Sequence, residues 1–418
     1  MARNPKSKPS IAGTDATPRQ KGALKGSEKA SEPVLEFRRL VELFRYPRGS
    51  TKPTALTNFT FFAGAGFSKS WDPAAPIGSE LFTFDTDLLD DVIDPNVLTR
   101  AFGVSTDELK PDDIRQITYQ LDMYERYPDI RSRYIDDQNT AMIRAALRAA
   151  VVERYASFNG LNYFDPSLSK FPLAATRDQG AILAMFAHLH RCIDGSQFFA
   201  EGIRTNFVTT NYDYVIETIL DNLIAPDDSL FLYTYRGFTP LSISGYGNPK
   251  PTQEHWIGSH LIKLNGGFEI LPQNKGYALD YAHRTKAQIR AEPPVLMLPS
   301  REQDYSDPYF AAIFPKAVRL MRDTQILVLV GYSLPEDDAL MRFVIRQFAE
   351  EPEDGRAKVI FYIDPKLGAV KMRKKLAEVF PSMSIYRVPK VVTFEGSLVD
   401  FARQYVSLID KSDHGILD

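Results

Sequence analysis

Gly64-Ala65-Gly66-Phe67-Ser68 closes an apolar run, Phe59 to Ala63, that reads as a buried strand. Two glycines one residue apart let a backbone turn sharply and approach a ligand that any Cβ would obstruct. A strand entering such a turn can aim several backbone N–H groups at a diphosphate. A tight strand-to-helix turn without a ligand uses the same residues. On the ligand reading, valine at Gly66 is expected to block binding and spare the fold.

Four further segments pair a strand end with polar side chains. Thr209-Thr210-Asn211-Tyr212-Asp213 follows the short strand Asn206–Thr209; Asn211 or Asp213 can cap the next helix, but a cap needs one polar residue rather than this cluster. Ile262-Lys263-Leu264-Asn265-Gly266-Gly267 ends a strand in a turn that is also an ordinary Asn-Gly turn. Gly331-Tyr332-Ser333-Leu334 follows the most apolar strand; its glycine permits close approach, and Ser333 can donate to a phosphate or ribose. Asp364 ends the strand Lys358–Ile363, where a carboxylate can accept from ribose hydroxyls or simply cap the turn before Pro365. His188 and His190 stand two apart on a helix, on different faces, and so do not form a metal pair.

These turns need a scaffold of alternating strands and helices. Helices are predicted over Ala141–Tyr155, Gln179–Arg191, Tyr212–Leu223, Pro308–Met321 with a kink or break at Pro315, Asp337–Ala349, Lys366–Val379 and Leu398–Leu408. Strands are predicted over Leu261–Leu264, Val295–Leu298, Gln325–Val330 and Ser384–Val388 besides those above. The pattern implies an α/β, Rossmann-like, mostly parallel sheet with helices on both faces. The first strand lies far upstream of the rest, which makes residues 84–200 a mostly helical insertion after it.

A chain of 418 residues, 44 % hydrophobic, can build a large core, and a net charge of −3 gives no electrostatic case for nucleic acid. One cysteine, Cys192, excludes an intrachain disulfide and a zinc site of several thiolates. No window reaches the ~20 apolar residues of a membrane span, and no secretory leader is evident, so a cytoplasmic protein is expected. Residues 1–33 read as a disordered, mildly basic arm, 34–410 as one domain, and 411–418 as a tail. Tyr and Phe together number 47 (20 + 27), and the apolar face of the helical insertion suggests a homo-oligomer.

The ordered set of turns resembles the sirtuin-like superfamily, in particular the bacterial sirtuin-like domains associated with anti-phage defence. Gly64-Ala65-Gly66-Phe67-Ser68 is similar to the family's phosphate loop, Thr210-Asn211-Tyr212-Asp213 to its Asn-x-Asp segment, and Gly331-Tyr332-Ser333-Leu334 to its later Gly-x-Ser-Leu segment. The resemblance spans about residues 55 to 390. It implies a domain that binds NAD or ADP-ribose through Gly64, Ala65, Gly66, Ser68, Thr210, Gly331, Ser333 and Asp364, with Asn211, Asp213 and Asn265 in catalytic positions. It places Asn211 at the nicotinamide ribose and Asp213 on the carboxamide. Two departures stand out. A single cysteine cannot supply the four-cysteine zinc module of protein deacylases, so no zinc and no lysine deacylation are expected. Asn265-Gly266 stands where the family has His-Gly, and asparagine cannot take a proton near neutral pH. Cleavage of the nicotinamide–ribose bond still needs no acid at the leaving group, and its cationic transition state resembles that of glycoside hydrolysis. The resemblance therefore implies an NAD+ hydrolase, activated in defence by assembly or a protein partner. The alternatives are a degenerate NAD/ADP-ribose-binding sensor or structural subunit, and an α/β nucleotide-binding protein of other chemistry.

Overall fold

The structure is a computed structural model that describes residues 30–45, 57–85, 89, 94–104, 107–159, 161–168, 170–190, 202–223, 240–244, 259–301, 305, 307–336, 338–350, 358–380 and 389–409. Its centre is a sheet of six strands: β1 (Thr57–Ala63), β2 (Ile203–Thr209), β3 (Leu261–Lys263), β4 (Thr324–Val330), β5 (Val359–Ile363) and β6 (Lys390–Phe394). Their order is β6-β5-β4-β1-β2-β3, and every pair is parallel. Read from the other edge this is 3-2-1-4-5-6, the order of doubly wound dinucleotide-binding sheets. The strand order reverses between β1 and β4, and the crevice beyond that switch point is where such sheets gather ligands.

Alternation along the strands divides the core in two. Phe59, Phe61 and Ala63 of β1 join one apolar cluster with Ile326, Val328 and Val330 of β4, while Phe62, Leu327 and Leu329 join the other. Side chains of successive residues point to opposite faces, so a sheet covered on both sides favours unbroken apolar runs, as in Ile326-Leu327-Val328-Leu329-Val330 of β4. The first cluster is covered by α1 (Glu32–Arg45), α2 (Ala65–Trp71), α5 (Arg177–His190), α6 (Val215–Asp221) and α10 (Leu398–Val406). The second lies under α3 (Pro111–Arg126), α4 (Asp137–Asn159), α7 (Pro308–Asp323), α8 (Ala339–Arg346) and α9 (Ala369–Val379). Among the described residues no helix is long and apolar enough to cross a membrane.

Several expected elements change. Val295–Leu298 is not a strand: it makes one antiparallel bridge, Gly266 to Leu296, because its backbone bonds go to separated residues rather than along one strand. Gly267 N–H donates to Val295 O (3.0 Å), Val295 N–H to Ile270 O (2.8 Å) and Met297 N–H to Asn265 O (2.8 Å). The helix expected from Tyr212 starts only at Val215, since Asp213 Oδ1 accepts the Val215 N–H at 3.0 Å and holds the preceding residues in a turn. The helix expected from Lys366 starts at Ala369. Helix α7 runs through Pro315, which is exposed, so the hydrogen bond it forgoes faces water. The expected strand Ser384–Val388 lies outside the described residues; the last described strand is β6. Helix α1 was not anticipated, although Val34, Phe37, Leu40 and Val41 carry helical spacing and are buried. Ser31 fixes its start, donating from N (2.9 Å) and Oγ (2.7 Å) to Gln404 Oε1 on α10. Also unanticipated is a small sheet of Ile243–Ser244, Gly276–Asp280 and Ile270–Gln273.

Candidate functional site

At the switch point the turns after β1 and β4 touch backbone to backbone. Gly64 N–H donates to Val330 O and Gly66 N–H to Gly331 O, each at 3.0 Å. A Cβ on Gly66 would lie 2.6 Å from Gly331 Cα, and one on Gly64 would lie 2.6 Å from Gly331 O. Gly331 has φ +60°, and its own Cβ would lie 2.3 Å from Gly66 C. These glycines are thus required by the neighbouring turn itself. Valine at Gly66 cannot spare the fold, contrary to the sequence-based expectation.

Beside this junction, β2 ends in the polar cluster, whose members converge. Asn211 Nδ2 donates to Gly64 O and to Ser68 Oγ, both at 2.9 Å. The Ser68 hydroxyl donates to Asp213 Oδ2 at 2.7 Å, and Tyr155 of α4 donates to the same oxygen at 3.0 Å. Asp213 is buried, and desolvation raises its pKa; the donors from Ser68, Val215 and Tyr155 and the charge of Lys263 oppose that shift. Burial, then the Asp213 charge, holds the Tyr155 phenol well above its ordinary value, so it stays a donor. Thr210 joins through its backbone: its N–H donates to Ala63 O (3.2 Å), and its carbonyl accepts from Asn265 Nδ2 (3.3 Å). Asn265 Oδ1 is buried with no hydrogen-bond partner among the described residues. A buried acceptor left unpaired costs stability, a cost that a hydrogen bond from a water or hydroxyl would offset.

Beneath the cluster lies a buried ionic group that sequence reasoning missed. Lys263 Nζ donates to Asp213 O at 2.7 Å and pairs with Glu217 Oε1 at 2.8 Å and Glu269 Oε1 at 3.0 Å. The three side chains are 2 %, 1 % and 0 % exposed, so each carboxylate depends on the one lysine between them for a compensating charge. Desolvation alone would lower the Lys263 pKa; Glu217 and Glu269 outweigh it and raise it, which keeps the ammonium charged. Gly267 makes room for this arrangement, since its Cβ would lie 2.4 Å from Glu269 Oε2. The available signal was a lysine inside the apolar strand Leu-Ile-Lys.

Ser333 and Asp364 stand apart from the cluster. Ser333 is exposed, and its carbonyl accepts from Lys375 Nζ at 2.7 Å. Asp364 Oδ1 accepts from the N–H groups of Lys366 (2.7 Å) and Leu367 (2.9 Å), so that oxygen caps its own turn. Gly331 meets the site through Gly66, and Ala65 begins α2. A cleft of about 730 Å³ opens on the Asp213 side, lined also by Tyr155, Trp71, Asn162 and Arg177. That size is in the range of small-molecule sites. Among the described residues no group of three or more His, Cys, Asp or Glu side chains is placed to hold a metal ion.

No protein-family profile matches the chain, and no curated protein matches it. Its structural neighbours are Sir2 sirtuins. A Sir2 mutant bound to 2'-O-acetyl ADP-ribose aligns with 11 % identity and a TM-score of 0.37, over 90 % of this chain and 96 % of that one. A Sir2 homologue bound to NAD gives the same identity and TM-score, over 90 % of this chain and 94 % of that one.

Proposed function

We propose that the chain is a sirtuin-like NAD+ hydrolase that releases nicotinamide and ADP-ribose, with NAD as substrate. The observation that carries this reading is the hydrogen-bonded series Asn211–Ser68–Asp213–Tyr155 beside the carboxyl ends of β1 and β2, of which Asp213 and Tyr155 line the cleft. Asp213 Oδ1 accepts the Val215 N–H and keeps capacity to accept from a carboxamide. Its carboxylate can also stabilise the positive charge that develops as the glycosidic bond breaks. Ser68 and Tyr155 orient that carboxylate. Asn211 anchors the turn after β1 and can position a ribose hydroxyl or water. The unpaired Asn265 Oδ1 can accept from a ribose hydroxyl without removing its proton. NAD binding through Gly64 to Ser68 belongs to the same proposal, with the phosphates resting on the outer side of the interlocked turns. A role as an anti-phage effector in the cytoplasm, activated by assembly or a protein partner, is supported by the motif resemblance.

The test is incubation of the purified protein with NAD while free nicotinamide is followed. Nicotinamide release that Asn211→Ala abolishes is the expected result. Asn265→His supplies an imidazole and should raise turnover, since a positioned base contributes ~10²–10⁴-fold. NAD binding by calorimetry with no nicotinamide from either protein would reject the hydrolase and leave a binding module.

A further inference from the structure

A second cavity, of about 390 Å³, lies between α3, α4 and the segment 296–300, lined by Asp122, Glu125, Arg144, Arg148, Ser300 and Asp307, among others. Its charged groups differ in what already holds them. Arg144 Nη2 donates to Asp122 Oδ1 at 2.7 Å and Glu125 Oε2 at 3.0 Å, and Ser300 donates to Asp122 Oδ2 at 3.0 Å. Asp307 Oδ1 accepts from Tyr309 N–H and the Tyr277 hydroxyl, both at 2.8 Å. The three carboxylates are therefore engaged. Arg148, one turn after Arg144 on α4, is held differently: its Nε is buried without a hydrogen-bond partner among the described residues. Burial and the like charge of Arg144 press its pKa down, with Asp307, Glu125 and Asp122 opposing. A guanidinium remains protonated regardless, and its planar fork matches a two-oxygen anion.

We propose that this cavity binds an oxyanion group, phosphate or carboxylate, on the Arg148 guanidinium. At about 390 Å³ the cavity has room for a small organic molecule that carries such a group. The cavity also adjoins the candidate site: Met297, in its wall, donates from N to Asn265 O (2.8 Å) and accepts the Tyr212 hydroxyl on its carbonyl (2.6 Å). An anion here thus bears on the backbone that seats Asn265. The inference does not depend on NAD cleavage.

Calorimetric titration of the full chain with pyrophosphate and, separately, succinate tests it. At least one probe should bind, and Arg148→Gln should weaken that binding tenfold or more. Arg148→Lys, which keeps the charge but loses the fork, should fall between. The tighter probe identifies a phosphorylated or a carboxylate ligand. Circular dichroism checks folding, and if Arg148→Gln does not fold, Arg148→Lys alone carries the comparison. Equal affinity in wild type and variant, or no binding of either probe at millimolar concentration, overturns the proposal.

Discussion

A side chain at Gly66 would meet backbone rather than a side chain that could move aside. Gly66→Ala sets a methyl 2.6 Å from Gly331 Cα, a contact that no rotamer relieves. The expected loss is about 1–3 kcal/mol, the usual cost of overpacking, read as a lower urea midpoint. Calorimetry on NAD must therefore be run with a folding control, since binding and stability fall together at this position. Asp221 makes a different prediction. Burial raises its pKa from 3.8 to about 6, while its carboxylate accepts the Phe171 N–H at 2.6 Å. A carboxyl raised in the folded state contributes stability that is complete below pH 3.8 and lost as the pH rises through about 6. Asp221→Asn keeps an acceptor and removes the charge. Its Tm should exceed wild type at pH 8 and match it near pH 4; an equal gap at both values would reject the titration. At this scale the sequence was legible for residues whose chemistry is local. Asn211, Ser68 and Asp213 stood out from two strand-end turns and their resemblance to sirtuin-like motifs, and the structure sets them in hydrogen-bond contact. Tyr155 was not, because a tyrosine late in an apolar helix gives no sign of which carboxylate it will meet.

Strands and helices were read well where both faces are apolar, as in β4, and poorly where contacts outside the element set its bounds. The turn before α6 forms because Asp213 is held from three sides; the segment 295–298 forms no ladder because its hydrogen bonds go to separated residues, Asn265, Gly267 and Ile270. The ionic group beneath β3 joins three elements and so was invisible to any local pattern. Lys263→Met should strand Glu217 and Glu269 in the core and cost about 3–5 kcal/mol. Adding Glu217→Gln and Glu269→Gln should recover part of that loss, and chemical denaturation of both variants measures the difference. No recovery would mean that Lys263 acts mainly by holding the Asp213 carbonyl.

For the whole molecule, the strand alternation predicted the layered α/β architecture but not the order of the strands. That order depends on which distant segments pair, and only the carboxyl-end turns hinted at it. The expected self-association meets a constraint: Ile182, Met185 and Phe186 of α5 and Ala146, Leu147 and Val151 of α4 are spent inside the chain. Light scattering across micromolar concentrations tests it. A mass well above 47.2 kDa would require another surface, and one equal to it would reject the oligomer.

The union of β1 with β4 also has a consequence for how the molecule is made. β1 is complete at Ala63, but its partner on one side is not synthesised until Val330, and the turn that locks Gly66 follows only at Gly331. On the ribosome, an apolar central strand therefore waits with an open edge while most of the chain emerges. Such an edge invites pairing with a neighbouring nascent chain. Yield of folded protein should accordingly depend on synthesis rate and chaperone supply more than the finished structure's burial would suggest.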